Sequence, residues 1–508
     1  MSELFDQLTP MLDRSAALTA ALALFEWDAE TLAPEQASDN TGKIIGILSD
    51  DYFRSLINPE VKLLLRKLEE PDNNKQLTLE QKAVVRELRR TYDQLASIPG
   101  REYSEFCELA NKSSSVWAKA RKNDDFKSFE PYLEKIVEYK KKFAGYRLKS
   151  QEQKDDPDAI YNILLSDFEP SLSTKELDEF FELIKEELVP LIKQVADKQD
   201  EIDDKFNTQT FDVQKQKEFN EFLANYVGFE KEKGVIAESA HPFTTNLHNK
   251  DVRMTNHYYE NNLITALFST IHESGHAIYE MQIRDDLTLT LIGTGTSMAV
   301  HESQSRFYEN IVGKSKEFWK PIYSQLVDTF PEQLKDVDLD KFVKAINKSI
   351  PGYIRTDADE LTYPMHILIR YELEKALFKD EITVKELPKE WKKKYMEYLG
   401  MKEDTDTKGV LQDTHWSSGD FGYFPTYAIG SAVAAQLYYF MKTQMEFDKL
   451  LEDGNLDQIK KYLGEHIHQY GMIYNMNELL ESVTGEKFNP SYYIKYLKEK
   501  YGKLYGLD

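Results

Sequence analysis

Positions 272–276 carry two histidines and a glutamate in the pattern His-Glu-x-x-His. The pattern binds a metal only on a helix, and apolar residues at helical spacing predict a helix over residues 262–281. In that helix His272 and His276 lie one turn apart on the same face, so both rings can reach one ion. Glu273 is turned by about 100° and can act as general base on water at the metal. The competing interpretation is two ordinary, partly buried histidines beside a surface glutamate.

A third ligand must come from elsewhere in the chain, because a catalytic zinc takes three protein ligands and leaves one position for water. Glu302 is the best candidate, since it begins a helical pattern and residues 287–297 are long enough to turn the chain back. His301 is the competing ligand. The sequence thus predicts one Zn²⁺ per chain, held by His272, His276 and Glu302.

Histidines are confined to one part of the chain. All ten lie between His241 and His468, and the first 240 residues contain none. Histidine is the commonest metal ligand and the usual acid or base near neutral pH. We therefore expect the chemistry in the second half.

Two arginines have surroundings suited to recognising a carboxylate. Arg253 lies in a suspected strand beside Asp251, and Arg355 follows a break at Pro351. Arginine's planar fork binds a carboxylate through two hydrogen bonds, as a peptidase acting on free C-termini requires. The alternative for each is a structural salt bridge, which is commonplace beside an aspartate.

Residues 409–427 form a glycine-rich aromatic segment that has the composition of a loop lining a site. It contains Gln412, His415, Tyr423 and Tyr427. His415 or a tyrosine hydroxyl could donate to the oxyanion that forms when water attacks a carbonyl. The alternative is an aromatic loop that only packs against the core.

Helices must position most of these residues. Apolar spacing of three and four predicts packed helices over residues 1–240, and helical patterns resume near residues 297, 334, 363, 427 and 457. Strands are predicted only near the metal motif: a hairpin within residues 244–257 and a strand at 287–292. The prediction is a mainly α single domain, residues 1–508, in which 1–240 form a helical wall and 241–508 carry the site.

Composition excludes several classes of protein. The 508 residues include 64 Lys+Arg and 88 Asp+Glu, a formal net charge of −24, which disfavours nucleic acid and anionic membranes as partners. The 41% of hydrophobic residues excludes wholesale disorder. The single cysteine, Cys107, favours a reducing cytoplasm. The acidic N-terminus and its short apolar stretch do not have the pattern of a signal peptide or a membrane span.

Taken together, the motifs resemble the thermostable metallocarboxypeptidase family typified by carboxypeptidase Taq. The matching segments are His241-Pro242-Phe243, Asp251-x-Arg253-x-Thr255, His272-Glu273-x-x-His276, His301-Glu302-Ser303-Gln304, Ile354-Arg355-x-x-Ala358-Asp359 and Gly409-x-x-Gln412-Asp413-x-His415-Trp416. Trp27-Asp28 and Pro34 resemble the family's N-terminal segment, where Ala33 replaces its usual methionine. Residues 35–235 contribute no motif.

The resemblance implies a mostly helical, saddle-like fold with a deep groove, a homodimer, and a cytoplasmic zinc or cobalt enzyme. Such an enzyme trims peptides from the C-terminus with broad tolerance but poor action beside proline. By position, the family's ligands are His272, His276 and Glu302, and its general base is Glu273. Its remaining motifs assign substrate contacts to His241, Arg253, Arg355, Asp359 and Gln412.

The predicted reaction is hydrolysis of the C-terminal peptide bond. Arg355, with or without Arg253, holds the terminal carboxylate, while His415 with Tyr423 or Tyr427 stabilises the oxyanion. The strand at 287–292 is expected to pair with the substrate backbone. Two alternatives remain: an endopeptidase or oligopeptidase with the same zinc site, and a non-catalytic helical metal-binding protein.

Overall fold

Helices dominate the chain, as predicted. The structure is a computed structural model that describes residues 3–149, 151–402 and 405–507. It is 69% helical with one small three-stranded sheet. Within the described ranges, no helix is long and apolar enough to cross a membrane.

The α-helices vary in length from one turn to more than six. In chain order they are α1 (Glu3–Asp6), α2 (Thr9–Thr31), α3 (Ser38–Leu56), α4 (Pro59–Glu69), α5 (Pro71–Asn74), α6 (Leu79–Ala96), α7 (Gly100–Asn123), α8 (Phe126–Arg147), α9 (Gln151–Asp155), α10 (Ala159–Ser166), α11 (Thr174–Ala196), α12 (Val213–Val227), α13 (Leu263–Met281), α14 (Met298–Arg306), α15 (Lys316–Trp319), α16 (Tyr323–Thr329), α17 (Pro331–Leu334), α18 (Leu339–Ile346), α19 (Tyr363–Phe378), α20 (Leu387–Leu399), α21 (His415–Ser418), α22 (Pro425–Gln444), α23 (Phe447–Glu452), α24 (Leu456–His466), α25 (Met476–Thr484) and α26 (Ser491–Tyr505). A π-helical segment, Phe307–Gly313, continues α14 directly.

The chain forms two compact units. The first comprises the described residues of Met1–Leu95, Asp203–Ile346 and Val433–Phe488, and the second those of Ala96–Ile202, Asn347–Ala432 and Asn489–Asp508. The first unit contains the sheet and the helices α13 and α14. Two compact units can still fold together as one domain. The single-domain interpretation therefore stays a prediction.

The sheet of the first unit consists of β1 (Gly234–Glu238), β2 (Thr244–His248) and β3 (Asp251–Asn256) in the order β1-β3-β2. Strands β2 and β3 are antiparallel and form the predicted hairpin. Strand β1, which pairs with β3 in parallel, lies inside the region predicted to be helical. Val252 and Met254 of β3 pack against Ala277 and Met281 of α13, so the sheet supports the helix of the His-Glu-x-x-His motif.

The predicted strand at 287–292 is wrong, because this segment forms consecutive turns. The Thr290 N–H donates to the Leu287 carbonyl at 3.1 Å, and Leu289 has a φ of +60°. A left-handed residue cannot continue a strand. The turns bury Leu287 and Ile292 together in a helical hydrophobic cluster, where a strand would place them on opposite faces.

The second unit is helical around aromatic packing. Tyr371 of α19 stacks on Phe181 of α11 with ring centroids 4.7 Å apart, and it meets Tyr161 of α10 edge-on. Helix α19 begins at Tyr363, as the sequence predicts. This helix also carries Arg370 and Glu374, both fully buried, toward residues 413–422.

Candidate active site

Helix α13 positions two of the three predicted metal ligands. The Asn262 side chain caps the helix by accepting from the Thr265 N–H at 3.1 Å. The helix then runs to Met281, close to the predicted end. His272 and His276 project from the same face, with ring centroids 5.0 Å apart.

Helix α14 brings Glu302 to these histidines. Oε2 of Glu302 lies 3.7 Å from Nε2 of His272 and 3.4 Å from Nε2 of His276. The three ligand atoms all lie within 4.8 Å of one another. Burial raises the pKa of Glu302, but Arg306 and His272 outweigh it and hold that pKa well below its ordinary value.

Gly275 allows α13 and α14 to approach this closely. A Cβ at Gly275 would lie 2.7 Å from both the Gln304 carbonyl oxygen and the Ser305 Cα, which is closer than atoms can pack. Glycine inside a helix costs up to about 1 kcal/mol relative to alanine. Here the missing side chain lets α13 and α14 pack closely enough to bring Glu302 to the histidines.

The π-helical segment supplies a carboxylate behind His272. Oε2 of Glu309 lies 2.8 Å from Nδ1 of His272, and Arg306 donates to Glu309 at 3.2 Å and to Oε1 of Glu302 at 2.7 Å. A π-helical turn often marks a functional site. Arg306 thereby ties a predicted metal ligand to the group that orients another ligand.

His276 has a different support. Its Nδ1 lies 2.6 Å from Nδ1 of His301, whose Nε2 lies 2.7 Å from Oε1 of Glu280. Glu280 also accepts from the Thr294 hydroxyl at 2.8 Å and from the Gly295 N–H at 3.0 Å. Both His301 ring nitrogens are therefore engaged, one by His276 and one by Glu280, and the ligand cluster does not include His301.

The cluster fits a divalent metal. The Nδ1 atoms of His272 and His276 each have a hydrogen-bonding partner, so the Nε2 atoms are the ones directed at Glu302. Burial lowers the pKa of His276 to about 3, which keeps the ring neutral as metal binding requires. Two imidazoles and one carboxylate form a known donor set of catalytic zinc sites.

Glu273 lies beside the cluster with an orienting hydrogen bond of its own. The Thr244 hydroxyl of β2 donates to Oε2 of Glu273 at 2.6 Å. Burial raises the pKa of Glu273, although His272 and Thr244 oppose the shift. A raised pKa makes the carboxylate a better proton acceptor.

In the second unit, Arg355 belongs to a buried ion cluster. It donates to Oδ1 of Asp413 through Nε at 3.0 Å and through Nη2 at 2.8 Å, and to the Tyr363 hydroxyl at 3.1 Å. Arg370 donates to the other Asp413 oxygen at 2.7 Å. Burial raises the pKa of Asp413, but Arg370 and Arg355 outweigh it and hold it far below its usual range.

Gln412 and Asp359 make contacts within this unit. Oε1 of Gln412 accepts from the Arg355 N–H at 2.8 Å, and its Nε2 donates to the Lys408 carbonyl at 2.8 Å. Oδ2 of Asp359 accepts from the Thr362 hydroxyl at 2.8 Å, next to the start of α19. These contacts position Arg355 and α19, and the predicted substrate roles of both residues stay predictions.

The aromatic segment brings His415, Tyr423 and Tyr427 together. Nε2 of His415 lies 3.4 Å from the Tyr427 hydroxyl, and the Tyr423 ring centroid lies 5.4 Å from that of His415. Nδ1 of His415 is buried without a hydrogen-bonding partner in the described part of the chain. Burial, with Arg355 nearby, lowers the pKa of His415 to about 4.

Glu374 anchors this segment from α19. It accepts from the Tyr161 hydroxyl at 2.8 Å, the Trp416 indole N–H at 2.6 Å and the Gly422 N–H at 2.9 Å. Trp416 and Gly422 lie on either side of residues 417–421. Glu374 thus holds the segment between His415 and Tyr423 at two points.

Arg253 and His241 lie in the first unit. Arg253 on β3 pairs with Asp251 through two hydrogen bonds of 2.8 Å, and its guanidinium lies 5.7 Å from the Trp27 ring centroid. His241 is exposed just before β2. The structure therefore distributes the predicted residues over both units, and within the first unit His272, Glu273, His276 and Glu302 adjoin one another at the ligand cluster.

Comparison with known proteins identifies the family. The profile of the carboxypeptidase Taq (M32) metallopeptidases matches residues 7–501, nearly the whole chain. The chain belongs to the M32 metallopeptidase family. Its membership confirms the resemblance inferred from the motifs, and the protein is a metal-dependent carboxypeptidase.

Related carboxypeptidases match over nearly their full length. Carboxypeptidase 1 of Bacillus subtilis (strain 168) is 42% identical over 506 residues, covering 99% of this chain and 98% of that protein. Thermostable carboxypeptidase 1 of Pyrococcus furiosus is 33% identical over 503 residues, covering 98% and 99%. The crystal structure of the M32 carboxypeptidase from Deinococcus radiodurans R1 superposes with a TM-score of 0.93 at 30% identity and covers 99% of each chain.

Several residues around the predicted site escaped the sequence analysis, among them Glu280, Thr244 and Glu309. Glu280 follows His276 by four positions on α13, so helical spacing could have indicated it. Thr244 lies on a strand and Glu309 on a π-helical turn. The sequence around them does not predict that Thr244 contacts Glu273 or that Glu309 contacts His272. The sequence also left the role of His301 open, which the structure assigns to the support of His276.

Proposed function

We propose that the protein binds one zinc ion through His272, His276 and Glu302 and uses it to release single amino acids from peptide C-termini. The observation that carries this proposal is the convergence of the three ligand atoms within 4.8 Å. A divalent metal held there supplies Lewis-acid activation of water and of the scissile carbonyl. Cobalt is expected to substitute, because its ligand preferences overlap those of zinc.

Glu273 is proposed to move the proton. It accepts the proton of the attacking water and returns it to the leaving amine. The Thr244 hydroxyl supports this role, since its hydrogen bond to Oε2 fixes the carboxylate and leaves Oε1 for water. Burial, which raises the pKa of Glu273, favours proton uptake.

We further propose that Arg355 recognises the free C-terminal carboxylate, with Arg253 as the competing candidate. The guanidinium of Arg355 is held rigidly by Asp413 and Tyr363. A guanidinium has more N–H groups than these contacts use, and a planar fork binds a carboxylate in fixed orientation. Arg253 is more exposed, and Asp251 contacts its guanidinium as Asp413 contacts that of Arg355.

The oxyanion is proposed to be stabilised by His415 with Tyr423 or Tyr427. A neutral His415 can donate one N–H, and its pKa of about 4 keeps it neutral at physiological pH. The Glu374 anchor supports a preorganised segment, which is what makes such donors effective. His241, Asp359 and Gln412 complete the proposed substrate contacts.

Several finer properties rest on the family resemblance alone. They are broad side-chain tolerance, a homodimer and a cytoplasmic location, the last also favoured by the single cysteine. Poor action beside proline has a physical basis as well. A proline nitrogen carries no N–H and its ring restricts the backbone.

Mass spectrometry of an N-terminally blocked peptide tests the proposed function. The peptide is incubated with the protein, with the protein after chelation, and with the protein after chelation and addition of zinc or cobalt. A ladder losing one C-terminal residue at a time, abolished by chelation and rescued by metal, is expected. Internal fragments would instead indicate an endopeptidase, and no cleavage with metal bound would indicate a binding protein.

A further inference from the structure

We propose that a cavity at the far end of β2 binds an apolar side chain of the peptide substrate, two to four residues before the scissile bond. This inference rests on the proposed function. It adds a selective subsite upstream of the reacting bond, and it makes peptide length and an internal residue determinants of the rate.

Strand β2 begins beside the reacting group. Its first residue, Thr244, donates to Oε2 of Glu273 at 2.6 Å. The sheet order β1-β3-β2 makes β2 an edge strand. An edge strand offers backbone N–H and C=O groups to an extended peptide, and peptide recognition commonly uses such an edge.

The direction of the peptide follows from the reaction. A carboxypeptidase leaves one residue on the C-terminal side of the cut bond, so the rest of the substrate extends to the N-terminal side. Along β2 that part can run from Thr244 toward His248, which is four residues or about 13 Å at 3.3 Å per residue. Residues two to four places upstream then lie beside Asn246–His248.

The cavity lies at this end of β2. It has a volume of about 230 Å³ and lies among α2, α6, the turns at 289–294 and the end of β2. Its apolar lining consists of Ala16, Ala20, Leu247, Leu289, Leu291 and Met472. A cavity of this size and lining suits one aliphatic or aromatic side chain.

Several polar groups of the lining are engaged within the protein. The Thr294 hydroxyl donates to Glu280, and the Asn246 side chain does the same. Arg90 donates to the buried Glu87 at 2.8 Å, so the two charges in the lining pair with each other. An apolar side chain is thus favoured over a charged one, which would have to disrupt these pairs.

Leu289 is the exposed apolar residue of the lining. About half of its surface is exposed, and it holds a φ of +60°, a conformation that is uncommon outside glycine. A bound apolar side chain would cover Leu289.

The test measures kcat/KM on N-acetylated hexapeptides in which one leucine is moved through the positions of an otherwise alanine peptide. In the zinc-loaded wild type we expect a gain of roughly tenfold at one position two to four residues before the scissile bond. Ala20→Phe, which fills the cavity from α2, should abolish the gain. Thr19→Phe is the second filling variant, because Thr19 is exposed and its replacement does not disturb the core.

Controls separate this inference from the proposed function. Ala17→Phe adds the same ring to the exposed face of α2, outside the cavity, and should keep the gain. N-acetyl dipeptides are too short to reach the cavity, so all four proteins should hydrolyse them equally. Failure on dipeptides would overturn the proposed function. The subsite would be overturned if dipeptides are hydrolysed normally but leucine raises kcat/KM at no particular position. It would also be overturned if Ala20→Phe and Thr19→Phe both keep the increase in kcat/KM.

Discussion

Nδ1 of His276 lies 2.6 Å from Nδ1 of His301, so one predicted metal ligand is supported by a second histidine. Nε2 of His301 lies 2.7 Å from Oε1 of Glu280, and its N–H donates to that carboxylate. With a proton on Nε2, the bare Nδ1 of His301 accepts the Nδ1–H of His276. This tautomer leaves the Nε2 lone pair of His276 available to a metal bound beside Glu302. Glu309 supports His272 directly, so the two ligands have supports of different chemistry.

Replacing His301 should weaken metal binding. His301→Phe keeps the ring volume but removes both hydrogen bonds, and we expect zinc affinity to fall 10- to 100-fold, as for other groups that orient ligands. His301→Gln can still accept from His276 and donate to Glu280, and should lose less. Competition with a fluorescent chelator measures the affinity of the apoprotein. Equal affinities for the wild type and His301→Phe would contradict the support role.

Removing the proposed base should separate turnover from metal binding. Glu273→Gln keeps the shape and can still contact Thr244, but it cannot accept a proton, so kcat should fall by about 10² to 10⁴ or more. Zinc stoichiometry should stay at one per chain, because Glu273 is not among the proposed ligands. Both quantities are measured on the same preparation, and retained turnover would end the assignment.

Gly275→Ala should damage the site through packing alone. The added methyl meets the α14 backbone at 2.7 Å, so the helices must separate at a cost of about 1–3 kcal/mol in the free energy of unfolding. Zinc affinity should fall as well, because Glu302 moves away from the histidines. Gly46→Ala on α3 is the matched control, since a Cβ there meets no atom within 4 Å. That control should stabilise the protein slightly, by roughly 0.5–1 kcal/mol.

The carboxylate role of Arg355 is tested by paired lysine substitutions. Arg355→Lys keeps the charge beside Asp413 but loses the planar fork, and KM for peptides with a free C-terminus should rise about tenfold or more. Arg253→Lys should leave KM nearly unchanged. Melting temperatures of both variants are recorded, because Arg355 also stabilises a buried ion cluster. The reverse pattern of KM values would transfer the role to Arg253.

Glu374 should make the stability of the protein depend on pH. Burial raises its pKa from 4.5 to about 7, so the folded state retains the proton longer than the unfolded state does. The contribution of this group is present below about pH 4.5 and is lost as the pH rises through 7, on the order of 3 kcal/mol. Urea unfolding across this range should reveal a decrease that Glu374→Gln lacks. Glu397→Gln, at an exposed site, should follow the wild type.

The sequence predicted those parts of the site whose structure depends on a single helix or hairpin. The apolar spacing around the His-Glu-x-x-His motif predicts α13 to within one residue at its N-terminus, and the same spacing places the start of α19 at Tyr363. The hairpin of β2 and β3 followed from a polar turn between two short alternating runs. In each case the determining contacts lie within a few residues along the chain.

The turns at 287–292 were not predicted by the local pattern. Their alternating leucines and threonines match a strand, but the burial of Leu287 and Ile292 in a helical cluster outweighs the local preference. Strand β1 was missed for the converse reason. Its five residues become a strand through pairing with β3, which lies more than ten residues away.

The sequence by itself determined the metal motif, its helix, the mainly helical class and, through six motifs in order, the family. Only the tertiary structure decided that Glu302 faces the histidines while His301 supports one of them. It also decided that Thr244, Glu280 and Glu309 contact Glu273, His301 and His272. The physical reason is the separation along the chain between the residues that interact. Helical and strand periodicities are encoded between near neighbours, whereas these contacts join separate elements whose approach depends on packing, such as the space left by Gly275.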